Sequence, residues 1–421
     1  MSTPTSAPSP GRPFNIEDMN PRVPFWPIIK RLLEEPQWWM GLLRRFWPIA
    51  HLRWLRFAMV TRFEHVREVL DKDQVFQVPF APRMKELMPG PLFVLAMQDG
   101  DDYREQRRQI MHTFRLEDIP QTIAPRAAAL SEQIIARCGG RIDAIEGLLT
   151  RVPTLLCEEY YGVHVRDPKL FAEWLTAISS YLFSPPSDKP SPLLGMAREA
   201  ADGVRAAMDE SIRDAKKAPA SDTTIVARLV QMQRQGRGAP SDELIRAELL
   251  GMLAGFVPTN TIASGNMLEM LLRREDFMAR AEHAAREDDD GRLWRCLYET
   301  LRFRPINLGP FRTCIADYTI AEGSSREKRI PAGTRVLAST QSAMFDERGV
   351  VQPKQFNPDR AAHESMVFGY GLHWCIGVFL AKAQITQTFK PLLKRGIKRA
   401  HGRDGQLRTI GLMPAHLTVK F

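Results

Sequence analysis

Apolar positions recur along most of this chain at helical spacing. Val66, Val69 and Leu70 fall at i, i+3 and i+4 and predict a helical turn. The pattern also predicts helices over 101–114, 168–183, 193–216, 241–273 and 291–303, and one that follows Cys375 to residue 394. Ser241, with Glu243 close behind, offers N-terminal capping chemistry to the longest of these. Pro305 ends the helix over 291–303, and Pro185, Pro186, Pro190 and Pro192 break the chain between the pair before it. Strand patterns are few and short, at 57–61, 318–320 and 334–340. Residues 78–98 place Pro79, Pro82, Pro89, Gly90 and Pro91 around Phe80, Phe93 and Leu95. They read as a long apolar loop, and such loops in compact domains usually carry function. Helix dominates and strand is minor and segregated, so the expected class is mainly α with a small β part.

Composition narrows the picture. The 421 residues are 44% hydrophobic and 25% charged, which is ordinary for a globular chain. No linker, repeat or low-complexity tract interrupts the middle. One domain is therefore expected over 21–421, after a Ser/Thr/Pro-rich tail at 1–20 expected to be disordered. The net charge of +9 is scattered except for Lys390, Lys394, Arg395, Lys398 and Arg399 near the C-terminus. No aromatic-basic motif accompanies that cluster, so nucleic acid is not an expected partner. An acidic protein partner and a plain solvated face both fit. The five cysteines are Cys138, Cys157, Cys296, Cys314 and Cys375, with no Cys-x-x-Cys pair. This argues against a disulfide framework and a structural zinc site, and for a reducing, cytoplasmic compartment. No secretory signal is apparent, and no stretch reaches the ~20 apolar residues that span a bilayer. Residues 24–60 hold Trp26, Trp38, Trp39, Trp47 and Trp54 among Arg44, Arg45, Arg53 and Arg56. Two readings stand: a peripheral membrane contact, or a Trp-rich entry helix packed on the body.

The richest chemistry lies in Phe368-Gly-Tyr-Gly-Leu-His-Trp-Cys375-Ile-Gly377. Gly369 and Gly371 suit a tight bulge, and Gly377 would let a flat ligand approach the start of the next helix. Cys375 falls just before a helix N-terminus, where the dipole and free N–H groups favour a thiolate. Such a thiolate, shielded by Phe368, can serve as the axial ligand of a haem iron. Phe368, Gly369, Gly371, His373, Cys375 and Gly377 together resemble the haem-binding loop of the cytochrome P450 family. The resemblance extends from about residue 50 to 421. It implies haem b (iron protoporphyrin IX), held between the long central helix and the helix of the Cys loop. It implies a propionate contact for His373, against the plainer reading of a surface histidine. Glu299 and Arg302 sit at i and i+3, and in the family such a pair joins an arginine before the Cys loop, here Arg360 of Asn357-Pro-Asp-Arg360. Arg312 and Arg107 resemble the propionate-binding arginines. Tyr103 stands where many bacterial members have histidine and is expected to give one hydrogen bond through its hydroxyl.

The central helix departs from the family. Monooxygenases there usually carry an acid–alcohol pair that organises water and delivers protons. This chain reads Ala254-Gly-Phe-Val-Pro-Thr-Asn-Thr261, with Val257 for the acid and Pro258 for the alcohol. Neither can transfer a proton. Pro258 also removes an N–H and clashes with the carbonyl of residue 254, so a kink is expected. Thr259 is one residue late, about 100° around the helix. A kink swings Thr259 or Asn260 toward the oxygen site, or else either residue merely satisfies freed backbone.

Two enzymatic expectations follow. The first is a monooxygenase that inserts one atom of dioxygen into a lipophilic small molecule, with electrons from a separate ferredoxin or flavodoxin and its reductase. The second is a peroxide-driven peroxygenase or a lipid hydroperoxide-rearranging enzyme, which needs no such relay. A non-enzymatic haem redox or gas sensor is a remote third. By resemblance, an acidic electron donor docks on the Cys side, near Arg107, Arg108 and Lys382. The substrate pocket is expected from residues 78–98 with Phe80 and Phe93, the Pro-rich break, Leu253, Phe256 and Val257, residues 306–310 with Ile306 and Leu308, and the tip at Leu412 and Met413. The aromatics fit core packing equally well. Arg83 or Lys85 could meet a substrate carboxylate, or simply lie at the surface.

Overall fold

The structure is a computed structural model that describes residues 14–21, 23–187, 189–218, 223–236 and 240–421. Its axis is the central helix, Asp242–Arg273, started by Ser241, whose side chain accepts from the Leu244 N–H. Most of its residues are buried. A helix buried all round has no single apolar stripe, so it belongs in the interior. The helices Pro168–Phe183 and Leu194–Ala215 pack on it from one side and Asp290–Phe303 from another. Asp167 caps the first of these by accepting from the Lys169 and Leu170 N–H groups. The Cys-side helix, Val378–Lys394, packs against Ala124–Arg137 and Glu275–Arg286.

The β part is a five-stranded mixed sheet and, among the described residues, three smaller sheets of two or three strands. In the five-stranded sheet the order is Ile49–Leu52, Phe57–Val60, Arg335–Ala338, Phe311–Cys314, Phe76–Gln77. Phe57 pairs in parallel with Arg335, and Arg312 opposes Val336 in an antiparallel pair. The sheet has its own core of Val60, Val66, Leu70, Phe76 and Val336, distinct from that of the helices. Mainly α with segregated β is therefore the observed class, and the expected helices occur within a few residues of their predicted ends.

Several expectations need correction. The segment 78–98 is not all loop: Ala81–Leu87 is a helix and Val94–Ala96 a 3-10 turn. Pro82 sits in the first turn, where its missing N–H costs nothing. Of the tail over 1–20, residues 1–13 lie outside the described residues. Ile16–Met19 form a 3-10 turn capped by Asn15, with Met19 buried, so that part is structured. Arg83 is taken up inside the protein, donating to the carbonyls of Tyr181, Leu182, Ser184 and Pro185 at the end of a helix. The C-terminal basic cluster is largely neutralised internally. Lys390 pairs with Asp290 (2.6 Å), Lys394 with Asp288 (2.6 Å), Arg395 with Glu132 (2.6 Å) and Arg399 with Glu269 (3.0 Å).

Among the described residues, no helix is long and apolar enough to cross a membrane. The Trp-rich segment forms two helices, Trp26–Glu34 and Gln37–Phe46. The first buries no residue and the second only Met40. Their inner sides do pack on the body, through Gln37 to Phe303 O (2.6 Å), Arg44 to Ser342 O (2.9 Å) and Glu34 to Arg304 (2.9 Å), while their apolar stripes face outward.

Candidate functional site

The Cys loop is held by its own backbone. Cys375 N–H donates to Phe368 O (3.0 Å), Trp374 N–H to Gly371 O (3.1 Å) and Gly369 N–H to Met366 O (3.0 Å). Gly369 and Gly371 have φ of 82° and 71°. At Gly371 a Cβ would also lie 2.8 Å from the Leu70 carbonyl oxygen, so only glycine fits. Gly377 has an ordinary backbone, and a Cβ there would lie 3.8 Å from Cys375 Sγ. The protein alone would accept a side chain there, and the glycine leaves space open beside the sulfur. Phe368 stacks on Tyr298 (5.7 Å, 10°) and lies 6.2 Å from Trp294. Both rings belong to the helix Asp290–Phe303, which fixes the loop's approach. Sequence reading missed these two aromatics, although they sit at i, i+4 with one ring face each.

Cys375 is exposed at the loop. Crowding by protein raises its thiol above the ordinary value, and the Gly377 N–H at the helix start pulls it down. His373, Arg312 and Arg107 converge beside the loop. His373 is depressed to about 4, first by burial and then by Arg312 and Arg107, and its Nε2 has no hydrogen-bond partner. Arg312 is 4% exposed, and the one hydrogen bond seen for its guanidinium is to the carbonyl of adjacent Phe311 (2.9 Å). Burial lowers it to about 10, so it stays cationic at neutral pH. Three nitrogen-bearing groups with an unsatisfied donor set form an anion cradle. The carboxylates of a haem fit it, and a thiolate at Cys375 fits its iron.

In this structure Tyr103 spends its hydroxyl within the protein. Its hydroxyl donates to Leu372 O (3.0 Å) and accepts from Arg107 Nη1 (3.0 Å). Its ring lies edge-on to His373, 5.7 Å between centroids. Tyr103 thus positions Arg107 and the Cys loop.

A second network ties down the chain that leads into this loop. Arg302 is fully buried and donates twice to Glu299 (3.0 and 2.8 Å). Its remaining donors reach Met344 O (2.7 Å), Pro353 O (2.8 Å) and Gln355 O (3.3 Å). Arg360 Nε shares Glu299 (3.2 Å), and its Nη1 binds Val351 O (2.7 Å) and Glu364 (2.9 Å). One carboxylate and two guanidinia therefore staple 344–364 to the helix Asp290–Phe303.

The central helix runs without interruption through Pro258. The hydroxyls of Thr259 and Thr261 donate back to the carbonyls of Gly255 and Val257, four residues earlier. Val257 and Pro258 are buried. Asn260 is buried too, and its amide donates to Gln384 of the Cys-side helix (2.9 Å). Gln384 in turn donates to Thr388 (2.9 Å). Asn260 is thereby turned into a brace between two helices. The open positions here are Gly255, exposed, and Thr259, half-buried. At i and i+4 they share one face.

The expected pocket is only partly assembled. Phe93 lies against Gly251, where any Cβ would strike its ring. Phe80 is half-buried against Phe183 (5.5 Å). Leu253 and Val257 are 0% exposed, and Phe256 packs on Tyr161 (5.4 Å), so these three belong to the core. Ile306 and Leu308 are half-buried, and Leu412 is exposed at a hairpin tip.

Comparison with known proteins agrees with this geometry. Residues 45–395 match the family model for cytochrome P450. The mycinamicin IV hydroxylase/epoxidase of Micromonospora griseorubida is 25% identical over 84% of this chain and 86% of its own. The erythromycin C-12 hydroxylase of Saccharopolyspora erythraea is 24% identical, over 87% and 89%. A Bacillus megaterium cytochrome P450 solved with testosterone superposes with a TM-score of 0.77 at 21% identity, over 93% of this chain and 99% of that one. The chain belongs to the cytochrome P450 family of haem-bearing oxidoreductases.

Proposed function

We propose that this cytochrome P450 binds haem b and inserts one atom of dioxygen into a lipophilic small molecule. The observation that carries the dioxygen reading is Thr259, which presents a hydroxyl on the open Gly255 face although Val257 and Pro258 cannot relay protons. Cys375 Sγ would hold the iron, and Arg312, Arg107 and His373 would hold the propionates. Haem so bound supplies reductive activation of dioxygen, in which one oxygen atom enters substrate and the other leaves as water. That stoichiometry consumes two electrons and two protons. The electrons come from a separate ferredoxin or flavodoxin with its reductase, and exposed Lys382 on the Cys-side helix suits an acidic donor. Thr259 Oγ passes protons inward by exchanging its bond to the Gly255 carbonyl for one to water. The two named relatives are a hydroxylase/epoxidase and a hydroxylase, and this chain does one or both on a lipophilic substrate. The setting is cytoplasmic, in keeping with five free cysteines.

The test drives the purified protein in parallel with a surrogate ferredoxin system and with hydrogen peroxide, against a panel of lipophilic compounds. Product that carries label from isotopic dioxygen, with faster turnover from the electron-transfer system, is the expected result. Thr259→Val should lower product per electron roughly tenfold or more, by loss of a proton-transfer step. Faster turnover with peroxide, insensitive to Thr259→Val, would make the Val257-Pro258 replacement the mark of a peroxygenase.

A further inference from the structure

The two N-terminal helices are amphipathic in the wrong direction for a helix that packs on a core. Phe25, Ile28, Ile29 and Leu32 follow i, i+3, i+4, i+7 and should form a buried stripe. They are 68%, 61%, 39% and 37% exposed. On the next helix Trp38, Leu42 and Phe46 are 63%, 53% and 53% exposed. The Trp39 ring N–H donates to Leu32 O (2.9 Å) and joins the two helices into one unit. The chain then enters a hairpin whose turn carries exposed Trp54 and Leu55. Of nineteen exposed large apolar side chains among the described residues, twelve lie between Val23 and Leu55. Concentrated in so short a stretch, they mark a contact surface rather than ordinary surface scatter.

Charge identifies the occupant. Residues 24–56 hold six Lys and Arg against two acids, Glu34 and Glu35. Both acids turn toward the body, Glu34 to Arg304 (2.9 Å) and Glu35 to Arg273 (3.1 Å). Arg31, Arg45, Arg53 and Arg56 are exposed, with no acidic partner among the described residues. The chain's own residues 1–13 are too polar and proline-rich to cover the stripes. A second copy on the same face would oppose like charges. Tryptophans and apolar stripes edged by arginines suit the interface of an anionic bilayer, where the rings sit at headgroup depth and the guanidinia meet phosphates. We propose that the face formed by residues 25–55 docks this protein peripherally on an anionic lipid surface. The docking is independent of the reaction proposed above.

One consequence does rest on the proposed pocket. Arg335 donates to Leu55 O (2.9 Å) and Pro186 O (3.3 Å), which links the hairpin turn to the Pro-rich break. A docked face would hold that break near lipid, a reservoir of lipophilic substrate.

The test is co-sedimentation of the haem-loaded protein with vesicles of phosphatidylcholine, alone or mixed with phosphatidylglycerol. The expected result is binding to the mixed vesicles only, weakened by salt. Arg45→Ala with Arg53→Ala should lower affinity roughly thirtyfold, about fivefold for each charge. Trp38→Ser with Leu42→Ser should abolish quenching of tryptophan fluorescence by brominated lipid. Both variants alter exposed side chains, and an unchanged ferrous–CO spectrum verifies their fold. Failure of the native protein to bind mixed vesicles overturns the proposal, and does so too if the protein is dimeric through this face. Undiminished binding by both variants overturns the assignment of the face.

Discussion

Arg312 shows how one residue can signal a ligand. A buried guanidinium without an ion pair is costly even with Asp73 acting on it from a distance, and an anionic ligand offsets that cost. Arg312→Met should therefore leave the haem-free chain as stable as before, or more so, by urea unfolding. Haem retention, measured by transfer to apomyoglobin, should weaken roughly 10- to 100-fold, the worth of a charge-assisted hydrogen bond. Unchanged retention would remove Arg312 from the cradle. Glu248 carries a similar strain without the ligand. It is 0% exposed, and neither carboxylate oxygen has a hydrogen-bond partner. Burial pushes it from 4.5 up to about 7, and neighbouring Gln106 acts in the opposite direction. The folded state thus holds a proton that the unfolded state has released between these values. Stability should fall as pH rises from about 4.5 through about 7, by roughly 3 kcal/mol at most. Glu248→Gln should flatten that profile in urea titrations at several pH values. Persistence of the slope in the variant would place its origin elsewhere.

Elements inherit these residue-scale constraints. The Glu299–Arg302–Arg360 network is closed to water, so its loss cannot be repaired by solvation. Glu299→Ala strands two buried guanidinia and should cost about 3–5 kcal/mol. Loss of the exposed Arg126–Glu159 pair should cost under about 1 kcal/mol. Chemical denaturation of the two variants side by side measures the difference, and equal costs would contradict the stapling role. The same contrast explains what was legible in the chain. Helices with strong caps, such as Ser241 and Asp167, declare their starts. The helices Ala124–Arg137, Arg151–Glu159 and Glu275–Arg286 were missed, along with strand Phe311–Cys314. None of these helices has a capping side-chain hydrogen bond at its start, yet caps are not the whole account: Ile225–Arg234, capped by Thr224, was missed too, and uncapped Asp101–Thr113 is legible from its pattern alone. The strand is too short to show alternation. Motif spacing located Cys375, yet it could not show that Tyr103 is spent on Leu372 or that Asn260 is spent on Gln384. Those outcomes depend on neighbours more than 120 residues away.

The whole molecule brings a cysteine loop and an anion cradle together, ties the central helix to the Cys-side helix through Asn260 and Gln384, and leaves a basic, apolar face at its N-terminus. The proposed function requires a thiolate at Cys375, on which its oxidative chemistry would depend. The most direct measurement is the ferrous–CO difference spectrum of the native protein and of Cys375→Ser, each reconstituted with haem. The native protein should give the red-shifted band of a thiolate-ligated iron. Cys375→Ser should lose that band while retaining haem in the cradle of Arg312, Arg107 and His373. A thiolate-type band that survives in Cys375→Ser would contradict the account, because the iron would then be held by another residue.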